Sequence, residues 1–234
     1  MIRFDSVFKR YPTGREALAG VSFQIERGEM AFLTGQSGAG KSSILKLIAL
    51  IERPSRGSVV IGDQNTSALK TRAIPQFRRR IGVVFQDHKL LPDRPVADNV
   101  ALPLIIAGVP GREIDKRVRA ALDQVNLLGK EKSLPLELST GEQQRVGIAR
   151  AIVAKPPLVI ADEPTGNLDP ALALEIMRLF KRLNDVGVTI VIATHDVHLI
   201  EQFPSRRIVL GEGRIDAITP PGARASTPNA GVTP

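Results

Sequence analysis

Eight residues, GQSGAGKS at 35–42, constrain this chain more than any other feature. They follow the apolar run Met30–Thr34, which reads as a buried strand, and precede SSILKLIALI, which reads as a buried helix from Ser42 to Ile51. Strand, glycine-rich loop and helix in that order form a phosphate loop. Glycines let successive backbone N–H groups curl around one anion, and the helix start adds its own free N–H groups and positive dipole end. The expected cradle comprises Gly35, Ser37, Gly38, Ala39, Gly40, Lys41, Ser42 and Ser43. Lys41 is expected to reach the β- and γ-phosphates of a nucleoside triphosphate such as ATP, and the Ser42 hydroxyl to ligate Mg²⁺. A glycine-rich turn that merely contains a lysine would account for the loop but not for its flanks.

A second signal is LVIADEP at 158–164, a short apolar strand that ends in two adjacent carboxylates. Burying carboxylates is costly unless a cation or hydrogen-bond donors meet them. Asp162 is therefore expected in the Mg²⁺ shell, and Glu163 as the general base that polarises the attacking water. One acid alone could be capping a turn before Pro164; two after such a strand, together with the phosphate loop, point to phosphoryl chemistry. The third signal, LSTGEQQRV from Leu138, has an ordinary explanation as well. Ser139 with Glu142 three residues later fits a helix capping box ahead of EQQRVGIARAIVA.

Around these motifs, strand-like runs at Ile2–Phe4, Val21–Ile25 and Ser58–Ile61 suggest a β-rich entry. The segment from Val96 to Leu128 is helical in pattern, with Ile114, Val118, Leu122 and Val125 on one face. Leu158–Ala161 and Thr189–Ala193 read as central parallel strands buried on both faces. Between them an amphipathic helix over Ala171–Val186 is expected to turn Leu172, Ile176, Leu179 and Leu183 inward. Strands alternating with helices imply an α/β fold. The composition after Asp216 shifts to Pro, Gly, Ser and Thr, so residues 217–234 are expected to form a disordered tail. The longest apolar run, Ala101–Val109, is far short of the roughly 20 residues that span a bilayer, and the charged first dozen residues do not resemble an export signal. The chain has no cysteine, which excludes disulfides and cysteine-bound metals. Its net charge of +8 favours polyanions in general. With aromatics at 4% and the densest basic cluster at Arg78–Arg80 readable as solvated surface, no specific nucleic-acid partner is expected.

Taken together, these motifs resemble the ABC ATPase family over nearly the whole chain except the tail. The resemblance implies a P-loop NTPase core over 1–216, with an N-terminal antiparallel β subdomain and an inserted α-helical subdomain at about 87–156. It also implies roles for further residues. Tyr11 matches the aromatic that stacks on adenine, and Gln86 the glutamine that contacts Mg²⁺ and water and couples the site to the helical subdomain. Asp169 matches the loop at the dimer seam, and His195 the histidine on the γ-phosphate. Ser139, Gly141 and Glu142 fall in the signature stretch, which in that family is offered to the nucleotide of the opposite subunit. Thr140 departs from the usual glycine and puts a methyl near that contact. An ATP-dependent homodimer is implied, docked on an integral membrane subunit at the cytoplasmic face of the plasma membrane. Within the family the cell-division branch is the nearest likeness. Relatives that drive lipoprotein release or macrolide export share the motifs, and a nucleotide-gated scaffold with negligible hydrolysis is a third possibility.

Overall fold

The computed structural model describes residues 2–166 and 168–220. Two sheets with one helix between them build the core. The first, antiparallel sheet has β1 (Ile2–Arg10), β2 (Glu16–Ile25), β4 (Arg56–Ile61) and β5 (Gln64–Asn65), in the order β2-β1-β4-β5. Strict alternation in β1 would put Phe4 and Val7 on opposite faces. A bulge centred on Ser6, whose φ is 46°, resets the phase, so Ile2, Phe4 and Val7 are all buried. The rings of Phe4 and Phe23 stack across the pair with centroids 4.5 Å apart.

The second sheet runs β10-β9-β3-β8-β7-β6, from β3 (Met30–Thr34), β6 (Ile81–Val84), β7 (Leu158–Asp162), β8 (Thr189–Ala193), β9 (Arg206–Gly211) and β10 (Arg214–Thr219). Only β10 is antiparallel to its neighbour. β3 and β8 are buried along their whole length, as continuous apolar runs in a covered parallel sheet should be. β10 carries the ordered chain to Thr219, beyond the boundary expected at Asp216; residues 221–234 lie outside the described residues.

Helix α1 (Lys41–Ile48) packs Ile44, Leu47 and Ile48 into one cluster with Ile2 and Phe4 of the first sheet and Leu33 and Ala193 of the second. A helix covered on both sides needs no polar face, which explains SSILKLIALI. It ends three residues short of the expected Ile51, because Leu50 turns left-handed at φ 54° and its carbonyl accepts a hydrogen bond from Arg78 Nη2 at 2.8 Å.

A short α2 (Ile74–Arg78) leads into β6, and between β6 and β7 the chain leaves the sheet to form α3 (Val96–Ala107), α4 (Gly111–Gln124) and α5 (Thr140–Ile152). The buried Asn99 stitches this insertion to its entry loop. Its Oδ1 accepts from the Leu91 amide at 2.7 Å, and its Nδ2 donates to the carbonyls of Leu91, Arg94 and Pro95. On α6 (Pro170–Asp185) the buried stripe is Ala173, Ile176, Met177, Leu179 and Phe180. Ile176 and Leu179 face inward as expected, but Leu172 and Leu183 are only partly covered, so the true face is rotated about one residue from the expected one. A short α7 (Val197–Glu201) follows β8. Among the described residues no helix is long and apolar enough to cross a membrane.

Candidate functional site

The carboxyl ends of β3, β7 and β8 converge on a cavity of about 610 Å³, and the chain's chemistry is concentrated there. The loop after β3 bends tightly enough that glycine is obligatory at two places. A Cβ on Gly35 would overlap the carbonyl of Leu210, and one on Gly40 would lie 2.7 Å from the carbonyl oxygen of Ala17, with φ at 110°. Lys41, the first residue of α1, is buried, and its Nζ donates to the carbonyls of Gly35 at 2.8 Å and Gln36 at 3.1 Å. That leaves one of its three protons for a ligand in the loop.

Across the cavity, Asp162 ends β7 and lines the wall with Ser42. Burial pushes its carboxyl above the usual carboxylate range and the Glu163 charge adds to the shift, while the Ser42 hydroxyl, Lys41 and Lys46 oppose it. Glu163 sits at φ 48°, a left-handed conformation that costs a residue with a Cβ about 1–2 kcal/mol. Its amide is fixed to the Ala193 carbonyl at 2.9 Å, and its Oε2 lies 2.9 Å from His195 Nδ1. The Glu163 side chain is 14% exposed and that of His195 71%, so the acid is sheltered and the histidine faces out. At the other end, the Tyr11 hydroxyl is 3.2 Å from Ser43 Oγ, and Lys9 Nζ stands 4.9 Å from the centroid of its ring, which holds one face of the aromatic.

Tyr11, Ser37, Gly38, Gly40, Lys41, Ser42, Ser43, Gln86, Asp162, Glu163 and His195 all line this one cavity. Gly35 and Ala39 form the turn behind it; the Ala39 amide donates to the Gln36 carbonyl at 3.2 Å. Two lining cations escaped the sequence reading. Arg15 Nη2 donates to the Gly38 carbonyl at 3.0 Å, and Lys46 stands one helical turn beyond Ser42 on α1. The i,i+4 spacing from Ser42 could have revealed Lys46; nothing in the turn before β2 marks Arg15.

Ser139, Gly141, Glu142 and Asp169 do not line the cavity. Ser139 caps α5 with a full capping box: the Glu142 amide donates to Ser139 Oγ at 3.2 Å and the Ser139 amide to Glu142 Oε2 at 2.9 Å. That amide bond is the main reason the Glu142 carboxyl is held below its usual range. Asp169 caps α6, accepting from the Leu172 amide at 3.0 Å. Gly141 packs beneath the loop before α6, where an added Cβ would meet Leu168 Cδ2 at 3.1 Å.

The raised Asp162 carboxyl makes a prediction about stability. The folded state binds that proton more tightly than the unfolded chain, so the group's contribution to stability falls as pH rises through the window above the ordinary aspartate value. Asp162→Asn should therefore melt higher than the parent without nucleotide, by a few degrees at ~2–4 °C per kcal/mol for a chain of this size. The gain should shrink as the pH approaches 4, and scanning calorimetry at both pH values reads it.

One helix start in this molecule is wrapped around a cavity of its own. A second, capped by Ser139, is exposed on the inserted subdomain and lies outside that cavity. That division defines the ATP-binding-cassette class of ATPases. The sequence profile of the ABC transporter family matches residues 18–166, and the chain belongs to that family. It is 58% identical to the cell division ATP-binding protein FtsE of Escherichia coli K12, over 92% of this chain and 97% of the relative. The FtsE proteins of Haemophilus influenzae and Bacillus subtilis are 49% and 46% identical, over 91% and 92% of this chain and 98% and 94% of theirs. Among solved structures, the dimeric post-hydrolysis state of the ATP-binding cassette MJ0796 with ADP and Pi superposes with a TM-score of 0.89 at 36% identity, covering 94% of this chain and 98% of that one.

Proposed function

We propose that this chain is the ATP-hydrolysing subunit of a cell-division complex. Two copies close head to tail on two ATP molecules and dock on an FtsX-like integral membrane subunit at the cytoplasmic face of the plasma membrane. The observation that carries the reading is the exposed, Ser139-capped start of α5, an anion-binding end with no phosphate site in its own chain. A second copy supplies one. The FtsE relatives support the cell-division assignment.

In this reading Tyr11 stacks on adenine with the face that Lys9 leaves open. The loop amides of Gly38 to Ser42 and the Lys41 ammonium bind the β- and γ-phosphates. Asp162 and the Ser42 hydroxyl, which line the same cavity, fit Mg²⁺: a buried carboxylate whose charge burial disfavours gains most from a cation beside it. With Gln86 they would hold the ion, which supplies charge neutralisation on the phosphates. Glu163 orients the attacking water and takes its proton, and His195, fixed by Glu163 Oε2, faces the γ-phosphate. Ser139, Gly141 and Glu142 from the second copy close over that phosphate, and Asp169 stands at the seam. Hydrolysis removes the bridging charge and lets the copies part. The core is proposed to span 1–216, with β10 carrying its sheet on to Thr219, and the helical insertion to lie at 87–156.

Adding Mg-ATP should give steady phosphate release from the parent and a doubling of mass by light scattering in Glu163→Gln, in which the closed pair persists, and the detergent-solubilised membrane subunit should co-purify. A Glu163→Gln chain that binds Mg-ATP but remains a monomer at saturating ATP would remove the two-copy site. Co-purification with a lipoprotein-release or macrolide-export subunit instead would reassign the process.

A further inference from the structure

Gln86 enters the cavity from a strained turn that is closed within itself by the His88 amide on the Phe85 carbonyl at 3.2 Å and by an ion pair between Lys89 Nζ and Asp87 Oδ2. The next residues but one, His88 and Lys89, are consecutive non-glycine positions in the left-handed region, at φ 57° and 49°. The His88 ring is buried, and its Nδ1 finds no partner among the described residues. A further grip on this turn comes from the Ser139-capped helix α5. Arg150 Nη1 donates to the Lys89 carbonyl at 2.7 Å, and Arg150 Nη2 donates to the His88 carbonyl. One planar guanidinium thus spans both strained residues in a fork that an ammonium cannot reproduce. The α5 backbone passes near the turn at Gly147, where an added Cβ would make an ordinary contact, 3.9 Å from the same His88 carbonyl. Burial lowers the Arg150 pKa, in keeping with a cation held against carbonyls.

Arg150 and Ser139 lie on one rigid helix, 11 residues and roughly 16 Å apart at 1.5 Å per residue. The fork therefore joins the segment carrying Gln86 to the helix whose far end is offered to the other copy's nucleotide. We propose that Arg150 is a positioning residue that latches the His88–Lys89 turn to α5, fixing Gln86 in its own cavity and tying that position to Ser139. The proposal rests on the assignment of Gln86 to the Mg²⁺ and water of the proposed ATP site. It differs from simple packing because it acts through one side chain and through the strain of one turn.

The test is steady-state ATP turnover by the full chain in Arg150→Lys, Gln86→Ala, their double variant, and Arg150→Lys combined with Lys89→Gly. Arg150→Lys should lower kcat by roughly tenfold to a hundredfold, as misplacement of about an ångström does, with KM for ATP within about twofold. In the Gln86→Ala background the same change should have almost no further effect, because the two act in series. Lys89→Gly relieves the left-handed turn and should restore much of the lost kcat. An independent structural defect would be neither absorbed by the first change nor repaired by the second. Wild-type kcat in Arg150→Lys, or a fully additive double variant, overturns the latch. If Gln86→Ala alone turns over normally, the Gln86 assignment fails; Arg150→Lys still losing kcat and still being rescued by Lys89→Gly would then show a latch acting through some other group. Arg150→Gln, which keeps a planar donor for one of the two carbonyls, replaces Arg150→Lys if that variant does not fold, with the same expectations.

Discussion

Changing Glu163 to Gln should leave Mg-ATP bound and the two copies closed on it, while slowing turnover by roughly 10²- to 10⁴-fold, the worth of a positioned general base. Glutamine has nearly the same shape, so the left-handed backbone at φ 48° and the amide bond to Ala193 are undisturbed. It can still meet His195 Nδ1, 2.9 Å from the present carboxylate oxygen, because its amide offers both a donor and an acceptor. What it cannot do is accept the proton of an attacking water. Since the side chain is sheltered at 14% exposure, bulk water cannot easily replace it as the base. With binding intact and cleavage slowed, the closed pair should accumulate on size exclusion in Mg-ATP, whereas the parent returns to single copies as it hydrolyses. Phosphate release within about threefold of the parent would take the base role away from Glu163 and leave His195 as the next group to examine.

Why the site is legible in the primary structure while parts of the frame are not follows from what each signal depends on. The phosphate loop and the Asp162–Glu163 pair are encoded by adjacent residues, and their elements, β3 and β7, are apolar runs that need no periodicity to be recognised. Helix α6 shows the limit: the expected face of Leu172, Ile176, Leu179 and Leu183 is right at Ile176 and Leu179, but Ala173, Met177 and Phe180 complete the buried stripe in place of Leu172 and Leu183. The bulge at Ser6 hides most of β1 by breaking alternation, and Leu50 ends α1 early through a single left-handed turn whose carbonyl is held from Arg78, 28 residues away. Arg15 reaches the cavity only because the turn before β2 folds back against Gly38. Ser139 and Asp169 are readable as caps, and that is what they are within one chain. Their proposed second task belongs to an arrangement of two copies, which no stretch of one sequence spells out locally.

Lys41→Ala should remove nucleotide binding while leaving the fold in place. The ammonium is buried and spends two donors on the carbonyls of Gly35 and Gln36, so it both charges the loop and holds its curve. Truncating one partner of a buried, hydrogen-bonded charge pair costs about 3–5 kcal/mol, which at 1.4 kcal/mol per decade is a loss of roughly 10²- to 10⁴-fold in affinity. Calorimetric titration with Mg-ATP should then register no saturable heat at concentrations that fill the parent site. The hydrophobic cluster around Ile44, Leu47 and Ile48 does not involve the Lys41 head group, so the melting temperature without nucleotide should change little. Lys41→Arg sharpens the result. It keeps the positive charge, but a planar, longer head cannot sit between the two loop carbonyls that a compact ammonium bridges. If charge alone drew the triphosphate, arginine would bind nearly as well as lysine. If the compact donor is what matters, arginine should fail almost as completely as alanine, and the geometry at Gly35 and Gln36 requires the second outcome.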